Sequence, residues 1–208
     1  MGSADGSGRA LTFTEEARRR QIVDGTIALV AERGHAGTSL SGIAARAGIS
    51  KAAVLYHFAT KDAVVEATFA HVVEGFVAAV GAEVDAADGP EAMLLAYLHG
   101  TVGHLRRHPE HMRVLVEGLV DDRRGARELA PGAPAAAGRW QAVAGMLAEG
   151  QDAGAFRPFD TRVLAVVIGG ALDAVVAEWL GDPAFDLDAA TEELSASVLR
   201  MIRTVVSG

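Results

Sequence analysis

The sequence predicts an all-α protein, and three observations carry that expectation. Apolar residues reach 50%, much of them alanine, a strong helix former. Aromatics are only 5%. β-Branched and aromatic residues never cluster with period-2 alternation over several segments. The 208 residues suit one large domain or two small ones. Charged residues at 22% beside so apolar a composition exclude a mainly disordered chain. The absence of cysteine excludes disulfides, thiolate metal sites and a cysteine nucleophile. Net charge is −8, yet residues 1–62 carry eight Lys/Arg against six Asp/Glu, so a mildly basic head precedes an acidic body.

Residues 1–13 are small, polar and Gly/Ser-rich, with no apolar run of the kind a signal peptide needs, and read as a disordered tail. A first helix follows, from about Thr14 to Arg33. Thr14 caps it, and Glu15 and Glu16 suit the positive end of its dipole. Ile22, Val23, Thr26, Leu29 and Val30 recur on one face, and Gly34 stops the helix. Thr38 or Ser39 then caps a short helix whose buried stripe is Leu40, Ile43, Ala44 and Ala47. Gly48 supplies a left-handed turn residue, and Ser50 caps the next helix. That helix buries Val54 and Phe58 and leaves Lys51, Ala52, Tyr56 and His57 outside. Two short helices joined by an Ala-Gly-apolar-Ser turn form a helix-turn-helix. A hairpin kept only for packing has no need of Thr38, Ser39, Ser50, Lys51, Tyr56, His57 and Lys61 around one rim. A rim that contacts phosphates does, because it uses hydroxyls, helix-start N–H groups and point charges.

The stretch from Ile22 to Val65 resembles the DNA-binding domain of the TetR family of transcriptional regulators. The matching pieces are Ile22 to Gly34, Thr38 to Lys51 and Leu55 to Val65. The signature is the spacing of Gly34, Thr38, Ile43-Ala44, Ala47-Gly48, Ser50-Lys51, His57-Phe58 and Lys61. The resemblance implies a helix-turn-helix DNA-binding domain over 14–60 and a helical effector-binding and dimerisation domain over 61–208. It implies a homodimer on an inverted-repeat operator in double-stranded DNA, most simply a repressor released by a small apolar or amphipathic effector; the lack of a signal-peptide run, with the most apolar stretch read below as a bundle helix, makes a cytoplasmic protein the expectation. Thr38, Ser39, Ser50, Tyr56, His57 and Lys61 would hold phosphates, Lys51 would lie nearest the base edges, and the Ala52 methyl would suit a thymine methyl. Three positions depart from the family's pattern. His35 stands where Tyr or Phe is frequent, Ala52 where Gly is frequent, and Leu55 where a Tyr hydroxyl usually faces the DNA.

In the body a long helix is expected from Lys61-Asp62 to about Val84. Further helices are expected over 91–107, 109–120, 134–153, 161–180 and 187–206, with a charged Gly/Pro-containing loop at 121–132. The most apolar run, Val163 to Leu180, is long enough for a membrane. Asp173 lies inside it, and an acid at a bilayer centre costs about 2.5–3.5 kcal/mol, so a bundle helix with no membrane partner is the better reading. Two apolar stripes are the expected dimer surface. One holds Val163, Leu164, Val167, Ala171 and Val175, with Gly169 and Gly170 allowing close approach; the other holds Leu194, Val198, Leu199, Ile202 and Val205. The competing reading is that both stripes fill a monomer core.

Effector-pocket candidates are Phe69, Phe76, Met93, Tyr97, Met112, Trp140 and Met146, whose methionine and aromatic groups adapt to varied ligands. Tyr97, His104 and Asp173 are polar groups that would orient one. Asp173 equally suits a dimer contact or a solvent-facing position. His104 and His108 have the i, i+4 spacing of metal ligands, near His99 and His111. Pro109 interrupts, and spacing fixes no third ligand, so they read as solvated histidines at a helix end. No metal or cofactor is expected. No phosphate loop, nucleophile elbow or defined carboxylate pair appears, so the chain is not expected to be an enzyme. The alternative function is a helical ligand- or metal-binding protein whose head does not bind DNA.

Overall fold

The computed structural model describes residues 12–120, 134–182 and 184–203. Among the described residues there are helices and no strands: α1 (Phe13–Arg33), α2 (Leu40–Arg46), α3 (Lys51–His57), α4 (Lys61–Asp85), α5 (Pro90–Arg107), α6 (Pro109–Val120), α7 (Pro134–Asp152), α8 (Thr161–Gly181) and α9 (Leu187–Ile202). Most of the expected tail, the loop expected over 121–132, and Val205 lie outside the described residues.

Short polar side chains set the helix starts. The cap of α1 is Thr12, not Thr14. Thr12 Oγ1 accepts from the Glu15 amide, and the Glu15 carboxylate accepts from the Thr12 amide at 2.8 Å. This Thr-x-x-Glu box satisfies two orphan donors at once, which Thr14 with Ala17 three residues on cannot do. Ser39, Ser50 and Thr60 cap α2, α3 and α4 through the amides of Gly42, Ala53 and Ala63. Gly48 turns the chain between α2 and α3 at φ +66°, a conformation that favours glycine. At the other end, α9 stops at Ile202 instead of running on to Val206. Arg203 is extended there, with ψ 145°. Arg157 occupies the last carbonyls, donating its amide to Ile202 at 2.9 Å and Nε to Met201 at 2.7 Å.

Two apolar cores result. The head core joins Ile22, Val23, Ile27, Leu29 and Val30 of α1 to Ile43, Ala44, Val54 and Phe58. It also recruits Val64 and Val72 from α4 and Val114 from α6. The body core joins Leu94, Leu98 and Val102 of α5 to Val143 and Leu147 of α7, Leu164, Ile168 and Leu172 of α8, and Leu194, Val198 and Ile202 of α9. By length and composition α4 and α8 could each cross a membrane. Each instead buries one face inside the bundle, α4 through Val64, Thr68, Val72 and Val80, α8 through Leu164, Ala165, Ile168, Leu172 and Val176.

Candidate functional site

The head presents one polar rim. Ser39, Ser50, Lys51, Ala52 and Tyr56 are exposed, Tyr56 at 76%. The rim therefore carries two helix N-termini with their capping hydroxyls, one ammonium and one phenol. Leu55 is also exposed, at 40%. His57 is half-buried, its ring edge-on to Tyr56 at 5.0 Å.

Two expected rim residues turn inward. Thr38 is 3% exposed and donates its hydroxyl to the Gly34 carbonyl at 2.8 Å. Its position one residue before the α2 cap aims it at the end of α1, so it fastens α2 to α1 and is corrected from phosphate contact to internal strut. Lys61 is half-buried and donates Nζ to the His35 carbonyl at 3.1 Å, so it also ties α4 to the α1–α2 connection.

Two buttresses in α1 escaped the sequence reading. Arg19 donates to the His57 carbonyl and stacks its guanidinium over the Phe58 ring at 4.0 Å. Gln21 donates to the Ala47 carbonyl at 2.6 Å. Each takes a carbonyl at the end of one short helix, so together they fix the angle between α2 and α3. The Arg18–Arg20 run was the only sequence signal, and it does not say which of the three turns inward.

Among the described residues, neither of the two hollows described below gathers the expected effector residues. Met93, Tyr97, Trp140 and Met146 belong to or pack on the body core. Phe76 of α4 meets His104 of α5 edge-on at 5.4 Å. Met112 lines a separate hollow of about 190 Å³ with Pro109, Arg113 and Leu180. Phe69 is half-buried on α4. Asp173 is exposed on α8, which removes the buried-anchor reading and leaves it facing outward. A larger open groove of about 490 Å³ lies in the head, where Phe13, Arg20 and Asp24 of α1 face Arg46.

The two expected dimer stripes part company. Val163 is 60% exposed and Val167 47%, with Val166 and Gly170 also exposed and Ala171 half-buried beside them. Gly170 faces open space. On α9, by contrast, Leu194, Val198 and Ile202 are inside the monomer core at 9%, 0% and 0% exposure, with Leu199 packed at its edge. These three are corrected from dimer surface to core, because α5 and α8 already cover them. Gly169 serves a contact inside the chain: the Trp140 ring lies 1.5 Å from where a Cβ would stand.

The histidines are not all solvated. His104 is 5% exposed, and its Nε2 has no hydrogen-bond partner among the described residues. Burial lowers its pKa, helped by the charges of His108, His111 and Arg107 and opposed by Glu83. Burial likewise lowers His111, with Glu110 and Asp24 opposing and His108 and His71 assisting.

Residues 22–68 match the sequence profile described as bacterial regulatory proteins, tetR family. The HTH-type transcriptional regulator BetI of Burkholderia thailandensis is 42% identical over 82 residues, which are 39% of this chain and 42% of that protein. The chain thus spans less than half the length of the curated relative it matches. Similarity in fold extends over about nine-tenths of the chain. A TetR-like transcriptional regulator from Rhodococcus sp. RHA1 superimposes with TM-score 0.72 at 23% identity, covering 92% of this chain and 97% of that one. The transcriptional regulator FadR from Bacillus subtilis, solved in complex with stearoyl-CoA, does so with TM-score 0.77 at 20% identity, covering 88% and 99%. A capped helix-turn-helix head whose residues 22–68 match the profile of the tetR family of bacterial regulatory proteins is thus set on an all-helical body with the fold of those solved regulators.

Proposed function

We propose that the protein is a cytoplasmic, homodimeric, DNA-binding transcriptional repressor that a small apolar or amphipathic molecule releases from its operator. The observation that carries this reading is the head's exposed rim. Ser39 and Ser50 sit at two helix N-termini that flank the exposed Lys51, Ala52 and Tyr56. Helix starts attract phosphate oxygens, and a lysine on the second helix reaches base edges in a major groove. The exposed valines of α8 support a dimer, since a contiguous apolar stripe on a soluble helix marks a protein contact. Symmetry of the dimer then matches an inverted repeat with half-sites about one helical turn, or a multiple, apart.

The effector class draws support from the shared fold. The Bacillus subtilis regulator was solved with stearoyl-CoA, so a long-chain acyl thioester is the first probe for this body. Methionine and aromatic groups at Met93, Tyr97, Trp140 and Met146 suit an aliphatic tail. Protection mapping of DNA upstream of the protein's own gene tests the function. Protection of an inverted repeat, abolished on Lys51→Ala or shifted in base preference by it, is the expected outcome. Binding to all duplexes alike, or to none, overturns the reading in favour of a ligand-binding protein with a silent head.

A further inference from the structure

We infer that the corner between α5 and α6 is a binding site for a divalent first-row transition metal ion, with His108, Glu110 and His111 as ligands and His104 as the fourth. This inference goes beyond the DNA-binding reading and does not depend on it.

The geometry begins with the chain's turn at Pro109. His108 caps the end of α5, and Glu110 and His111 lie in the first turn of α6. The turn therefore gathers three donor groups that straight helical spacing would scatter. Their ligand atoms all lie within 4.8 Å of one another. Glu110 Oε1 stands 3.6 Å from His108 Nδ1 and 3.9 Å from His111 Nε2. Ligands bound tetrahedrally at about 2.0–2.1 Å are about 3.3 Å apart, so small side-chain rotations close the site. The His108 and His111 rings are stacked, 13° apart in plane with centroids at 4.8 Å.

His104 is the independent observation. One turn before His108, its ring centroid is 4.8 Å from His108 and 5.9 Å from His111. It is nine-tenths buried, and its Nε2 has no hydrogen-bond partner among the described residues. A buried imidazole nitrogen without a partner costs free energy, and a metal ion at the corner would relieve that cost. His108 and Glu110 remain about two-fifths exposed, which leaves a path for the ion from solvent. Three imidazoles with one carboxylate favour Zn²⁺, Co²⁺ or Ni²⁺ over the oxygen-seeking Mg²⁺ and Ca²⁺.

The test uses the untagged full chain after chelator treatment. Calorimetric titration with Zn²⁺ should show one ion per chain, bound tighter than about 1 μM, with Mg²⁺ silent. Co²⁺ should give the visible absorption of a four-coordinate site. His108→Ala and His111→Ala should each weaken Zn²⁺ binding by more than about 100-fold, beyond the roughly 10–100-fold that loss of a supporting residue causes. His99→Ala, whose ring instead meets Ser195 on α9, should leave it unchanged. Nitrogen-detected imidazole spectra of the unmutated chain provide a second reading that needs no variant to fold: His104, His108 and His111 should shift together at one equivalent of Zn²⁺. Binding weaker than about 100 μM, uptake unaffected by both substitutions, or shifts confined to other histidines would overturn the site.

Discussion

Gly169 and Trp140 show how one missing methyl sets a helix spacing. The indole lies where a Cβ would be, so α7 and α8 approach closely only because position 169 is glycine. Gly169→Ala forces the ring out of its place, and overpacking of this kind costs about 1–3 kcal/mol. A lower melting temperature and a red-shifted Trp140 emission, read in a Trp179→Phe background, are the expected outcomes; unchanged emission would mean the ring does not pack there. At the rim of the body, the Arg203 guanidinium holds the Glu91 carboxyl below its ordinary value by bonding to it. A depressed folded pKa contributes stability above the unfolded value and loses it as pH falls through the folded one. Wild type should therefore melt slightly above Arg203→Ala at pH 7, with the gap closing well below pH 4.5, the carboxyl's ordinary value. A gap that persists in acid would show that Arg203 acts by packing alone. Single residues were unevenly legible. The Ser50 cap followed from residue type and position, and the Thr-x-x-Glu box at Thr12 was there to be read. The inward turn of Thr38 was not, because a hydroxyl beside a cap looks the same whether it faces solvent or a neighbouring carbonyl.

Helices were more legible than their partners. Periodicity located the start of α6 at Pro109 and placed most other ends within a residue or two, since caps, prolines and glycines mark them locally. It also found the apolar stripes on α8 and α9. What it could not tell is which neighbour covers each stripe, because an amphipathic pattern records burial and not the identity of the cover. α8 is apolar on two faces, one in the core through Leu164, Ile168 and Leu172, the other outward through Val163, Val166 and Val167. α9 has one such face, and the core claims it. Val167→Glu should therefore yield a folded monomer by light scattering, whereas Ile202→Ala should cost about 2–5 kcal/mol of stability in either assembly state. A Val167→Glu protein that remains dimeric would move the interface off this face.

For the whole molecule, regulation requires two arrangements of the head that DNA and ligand prefer differently. α4 and α6 are the elements placed to link them, since each packs against α1 while α4 also lies along α5. Under the proposed function, a ligand that weakens DNA affinity tenfold must itself bind tenfold more weakly to the DNA complex, about 1.4 kcal/mol in either direction. Anisotropy titrations run in both orders measure the two factors, and unequal factors at equilibrium would exclude a single coupled state change. The division of the chain into a basic head and an acidic body was visible in its charges. The sharing of side chains across that division was not, because Val114 is far from the head in sequence and apolar residues carry no address. Its place in the head core has a practical consequence. A fragment cut at residue 60 would forfeit Val64, Val72 and Val114 together, so head and body should melt as one unit. A chimaera grafting this head onto another body must then carry the first half of α4 and a matching α6, or leave a hole beneath α1 where those valines belong.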